Sequence, residues 1–190
     1  VWGSIFLLPL WYFFAENPNY LPGNMSYIGA DDLGNIPLIF QFMIIEVGLD
    51  MLRMAAIHTP SSLGTALGLV AALMIGGVAV EVGLFSNEVV LYLSIAAIGT
   101  FATPSYELSL ANRLVRIFLL LVTALFSLSG FIIASTLYLL FLVNMRSLGV
   151  PYMWPFIPFQ YRAFRDVIIR APIPLKNRRP SILHPKDPDR

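Results

Sequence analysis

IFLLLVTALFSLSGFIIASTLYLLFLVN, residues 117–144, contains no charged residue and no proline. At about 1.5 Å of rise per residue it is enough helix to cross a hydrocarbon core of roughly 30 Å with some tilt. The composition around it agrees. Of 190 residues, 57% are hydrophobic and 12% charged, against about a quarter charged in an ordinary soluble domain. The sequence therefore predicts an all-α, polytopic helical membrane protein, with about four spans plus one amphipathic or re-entrant helix.

Several chemistries are excluded early. There is no cysteine, hence no disulfide, thiol nucleophile or cysteine metal site. Two distant histidines, His58 and His184, do not make a metal site. Both lie beside prolines with no nucleophile elbow nearby, and the only lysines, Lys176 and Lys186, lie in the tail, away from any glycine-rich phosphate loop. No catalytic residue, metal site or cofactor is expected.

Charge divides the chain in two. Residues 1–145 hold three arginines against eight acids, a charge of −5, whereas 146–190 hold nine Lys/Arg against three acids, +6. A basic segment directly after a span stays on the cytoplasmic side. The expected organisation is a transmembrane helical domain over 1–145 and a basic, Pro-rich cytoplasmic tail over 146–190, whose partner is anionic lipid rather than nucleic acid. The opening VWGSIFLLPLWYFF lacks the flanks of a signal peptide and is too short to span. It reads as the second half of a span, which makes the chain a fragment.

Between these ends, residues 15–35 form a polar, acidic loop, with Trp11, Tyr12 and Tyr20 placed as interfacial aromatics. Residues 36–57 form a helix opened by Pro37, with Glu46, Asp50 and Arg53 on one face. Residues 63–84 are a span candidate in which Gly64, Gly68, Ala72 and Gly76 make a strip of small side chains. Ser86 or Asn87 can cap a short apolar helix over 88–103, which Pro104 ends. Ser105 can cap a helix bearing Ser109, Asn112, Arg113 and Arg116 on one face, continuous with the 117–144 span. If the opening segment runs outward and the tail is inside, one of the four candidates after residue 15 does not cross. The charged 36–57 helix is the preferred exception, and a re-entrant 88–103 segment is the alternative. Either version puts Arg113 and Arg116 outside, against the positive-inside trend.

Ionisable groups at membrane depth point to function by default, because burying them is costly. Glu46, Asp50 and Arg53 are pore or polar-cluster candidates, since one acid per subunit in an oligomer makes a cation-selecting ring. The competing reading is an internal pair of Asp50 with Arg53 at i+3. Glu81 is a pore candidate or an interfacial carboxylate. Glu107 with Arg113 and Arg116 forms either a polar gate or an interfacial salt bridge. The strip at Gly64, Gly68, Ala72 and Gly76 reads as a packing face before a pore lining, as does a second strip at Thr123, Ser127, Gly130 and Ala134.

PSSLGTALGLVAALMIGGVAVEVGLF, then AAIGTFATPSYELSLANRLVRIF, then MRSLGVPYMWPFIPF together resemble the membrane domain of the GerA-type spore germinant receptor A subunits, along the whole chain. The resemblance implies an integral protein of the spore inner membrane with a soluble cytoplasmic domain ahead of residue 1. It also implies a homo-oligomer, a pentamer in the family's pattern, forming an ion channel that opens in germination beside other germination membrane proteins. The acids at 46, 50 and 81 give the expected preference for monovalent cations. The alternative function is a scaffolding subunit of a spore-membrane complex with no conductance of its own. A secondary transporter is disfavoured, because no inverted internal repeat is visible.

Overall fold

A computed structural model of the chain describes residues 2–21, 23, 28–29, 33–58, 68, 70–71, 74–101, 103, 105–147, 149–157, 159–161 and 164–165. It is mostly helical: α1 (Trp2–Glu16), α2 (Leu38–His58), α3 (Asn87–Phe101) and α4 (Tyr106–Asn144). A widened helical turn at Met74–Val78 leads into a single turn at Ala79–Glu81. Residues 63–67, 69, 72 and 73 of the 63–84 segment, and all of 166–190, lie outside the described residues. The chain divides into two units, Val1–Ala134 and Ser135–Arg190.

Helix starts in the first unit follow the local chemistry of the sequence. The Pro37 carbonyl accepts the Phe40 and Gln41 N–H groups at 3.0 and 3.2 Å and opens α2. The Ser86 hydroxyl accepts the Val89 N–H at 3.3 Å, and the Ser105 hydroxyl accepts the Leu108 N–H at 3.2 Å. Both satisfy first-turn donors that have no partner within the helix.

Helices α1, α2 and α3 pack on one another around Leu8, Trp11, Tyr12, Phe42, Ile45, Val89 and Leu93, with Leu120 of α4 joining them. Trp11 and Tyr12 are therefore not interfacial anchors, being 4% and 3% exposed. The Trp11 ring lies 4.0 Å from that of Tyr92 and 5.5 Å from that of Phe42, and its indole N–H donates to the Ile28 carbonyl at 2.6 Å. Aromatic neighbours and a carbonyl partner inside the protein satisfy both ends of the indole, so it needs no membrane interface. Tyr20, 68% exposed, does lie on the surface.

Gln41 is the polar pivot of this core. It is fully buried, and its amide donates to the Leu33 and Ile36 carbonyls, both at 2.6 Å, while its oxygen accepts the Ser86 N–H at 2.9 Å. One side chain thus fixes the loop before α2 to the turn before α3. Gly34, at φ +66°, passes so close that a Cβ there would lie 3.3 Å from the Gln41 amide nitrogen and 3.2 Å from the Leu84 carbonyl.

Among the described residues, α4 alone is long and apolar enough to cross a membrane. Helices α1 and α3 have 15 residues each, about 22 Å at 1.5 Å per residue, and α2 carries the three charges. The quoted stretch differs from a straight span in one respect. Within α4, Ser127 sits at φ 56°, ψ −151°, a region close to glycine-only. A Cβ on Gly130 would collide with the Phe126 Cβ and lie 3.0 Å from the Val122 carbonyl. In a straight helix eight residues would put about 12 Å of rise between 122 and 130. The helix therefore bends sharply at Ser127, as two limbs joined without a loop.

In the second unit, Arg146–Ser147 and Val150–Pro151 pair antiparallel around Gly149, which holds φ +81°. This hairpin is the one departure from an all-α fold among the described residues. The Tyr152 N–H donates to the Met145 carbonyl at 2.9 Å, the Trp154–Pro155 bond is cis, and Phe164 packs near Phe156 and Phe159. These contacts make an ordered turn directly after α4.

Candidate functional site: a ladder of charges between two helices

Helices α2 and α4 run past one another with their charged faces in register. Glu46 and Asp50 are four apart on α2, and Arg116 and Arg113 are three apart on α4, so each pair is one turn long. The Arg116 guanidinium donates from Nη2 to Glu46 Oε2 at 2.8 Å, and its Nε lies 2.6 Å from Oε1 without hydrogen-bond alignment. One turn along, Arg113 is paired with Asp50. A further turn along, Arg53 donates to the Ser109 hydroxyl and lies over the Tyr106 ring, 5.2 Å from its centroid. The Ser109 hydroxyl donates in turn to the Thr100 carbonyl of α3 at 3.2 Å.

The rungs differ in depth. The side chains of Arg116 and Glu46 are 4% and 1% exposed, and those of Arg113 and Asp50 are 16% and 21%. Beside the ladder is a small cavity of about 20 Å³ lined by side chains of every rung, from Glu46 and Arg116 through Asp50 and Arg113 to Arg53, room for about one water. Removing one partner of such a buried pair leaves an uncompensated charge and costs about 3–5 kcal/mol.

Several expected groupings change. Asp50 pairs across the helix gap with Arg113, and Glu46 with Arg116, in place of the local Asp50–Arg53 pair. The reason is reach: an arginine from the facing helix supplies a partner for each acid, whereas Arg53 points to Ser109 and Tyr106. Glu107 is not brought to Arg113 and Arg116. It is exposed at the start of α4 and accepts from the Ser105 hydroxyl at 2.8 Å. Glu81 is exposed at the end of its helical turn, away from the ladder. Gly64 and Ala72 lie outside the described residues, and a Cβ on Gly68 or Gly76 would meet nothing within 4 Å among them. Thr123 and Ala134 of the second strip are buried.

Sequence reasoning found both charged faces but not their pairing. The complementary spacing of two acids and two arginines carried that signal. Thr100 and Tyr106 had none, and Gln41 resembled any polar residue in an apolar helix.

Residues 1–182 match the Bacillus/Clostridium GerA spore germination protein family. The chain belongs to that family. It is 50% identical over 184 residues to Stage V sporulation protein AF of Bacillus subtilis (strain 168), covering 97% of this chain and 37% of that protein. It is 33% identical over 170 residues to spore germination protein A1 of the same organism, covering 88% and 35%. With spore germination protein KA it shares 32% over 151 residues, covering 80% and 28%. The chain thus spans about a third of the length of these relatives. Each is named for germination or sporulation, and none for a reaction. No solved structure matches the chain.

Proposed function

We propose that this chain is the membrane part of a subunit that assembles in the spore inner membrane and conducts ions during germination. It assembles as a homo-oligomer, a pentamer in the family's pattern, beside other germination membrane proteins. Family membership supports the setting. The observation that carries the conducting role is the row of paired charges buried between α2 and α4, since ionisable groups buried in a membrane protein are costly and point to function. In this reading the opening segment, 63–84, 88–103 and α4 cross, and α2 is held against protein by its charges. The transmembrane part is 1–145, and the basic tail from 146 faces the cytoplasm and anionic lipid.

Monovalent cations remain the conducted class, but the seat of selectivity moves. Arg116 and Arg113 neutralise Glu46 and Asp50, so these acids do not form a free anionic ring. Exposed Glu81 is the remaining carboxylate for that role. Full-length protein reconstituted in potassium-loaded vesicles tests the reading. Release of potassium, reduced at least tenfold by Glu81→Gln, is expected. Vesicles that stay sealed while the protein co-purifies with other germination proteins would establish the scaffolding alternative, which the small-residue faces favour.

A further inference from the structure

The backbones of α2 and α4 come close at few points, unlike the closely packed α2–α3 and α1–α3 pairs. What joins them across the gap is long side chains: Arg116 to Glu46, Arg113 to Asp50 and Arg53 to Ser109. A buried ion pair holds helices together no better than apolar packing of the same volume, and is often worse by about 1–4 kcal/mol. What it adds is dependence on one register. Sliding either helix by one turn leaves at least one carboxylate or guanidinium facing apolar side chains. The outer rung is also the more exposed of the two, its side chains being 16% and 21% exposed. Solvent can therefore take over its partners at lower cost than those of the inner rung, whose side chains are 4% and 1% exposed.

We propose that the Asp50–Arg113 and Glu46–Arg116 pairs form an electrostatic latch that holds α2 against the first limb of α4 in the closed state. The latch opens from the outer Asp50–Arg113 rung inward. Opening separates two helices whose backbones come close at few points, and it exposes the cavity wall formed by Ala97 and Thr100 of α3. The proposal rests on the ion-conducting reading above.

The test uses full-length protein in vesicles, in a cysteine-free background carrying Ala97→Cys as a reporter on the cavity wall. Asp50→Arg, Arg113→Asp and the exchange of both are compared with this parent for two readouts. One is basal potassium release. The other is the rate at which a water-soluble methanethiosulfonate reagent modifies residue 97. Each single variant is expected to raise both at least tenfold, and the exchange to return both to within threefold of the parent. Asp50→Asn with Arg113→Gln, which leaves no unpaired charge, keeps the test valid if a charge-reversed single fails to fold. It is expected to raise both readouts as well. Labelling at 97 that is unchanged in every folded variant overturns the latch, whatever the vesicles conduct. Labelling that rises without potassium release supports the latch and overturns the conducting role.

Discussion

At the scale of single residues, a buried amide and a buried ion pair decide how this chain is held. Gln41 ties three backbone groups together from a fully buried position. Its replacement by leucine orphans them, at about 1–3 kcal/mol for an unsatisfied buried group, and is expected to lower the unfolding midpoint in detergent. Glu46 and Arg116 behave differently singly and together. Arg116→Met alone is expected to cost about 3–5 kcal/mol, because Glu46 then stays buried without its partner. Glu46→Leu with Arg116→Met is expected to be near neutral or stabilising. Denaturant titration of the two variants separates a paired charge from an incidental one. The sequence made Glu46 and Arg116 legible, since a charge in an apolar helix stands out. Gln41 was not legible, because its role is set by the Leu33, Ile36 and Ser86 backbone groups that the fold brings to it.

Among the elements, the caps were read correctly because they are local. A serine hydroxyl within three residues of a first-turn N–H suffices at both Ser86 and Ser105. The bend in α4 was not legible. The stretch around it, LFSLSGF, is compatible with a straight helix in which Ser127 and Gly130 merely form a packing strip. Its two residues give opposite expectations. Gly130→Ala should gain about 1 kcal/mol of helix propensity in a straight helix. In the bent one its Cβ collides with Phe126 and Val122, and overpacking of this kind costs about 1–3 kcal/mol. Ser127→Gly is expected to stabilise by about 1 kcal/mol by relieving the φ 56° backbone. Thermal unfolding of both variants decides between a bent and a straight α4: the bend predicts a lower midpoint for the first and a higher one for the second.

For the molecule as a whole, composition and long apolar runs were enough for the helical class, and the motifs at the two ends of α4 were enough for the family. The count of spans was not settled by the same signals. Helices α1 and α3 fall short of a bilayer's thickness, α2 has the length but carries charges, and the 63–84 segment is described only in part, from 74 to 84 and at a few positions before. Pairing between helices was also hidden, because one-dimensional spacing gives the face a charge occupies but not which face it meets. That pairing is the centre of the account, and exchanging the charges at positions 46 and 116 in full-length protein tests it most directly. Unfolding is measured for Glu46→Arg, Arg116→Glu and the two combined. Each single change is expected to be strongly destabilising, and the exchange to recover about 1–3 kcal/mol of coupling. Effects that simply add, to within about 0.5 kcal/mol, would contradict the pairing.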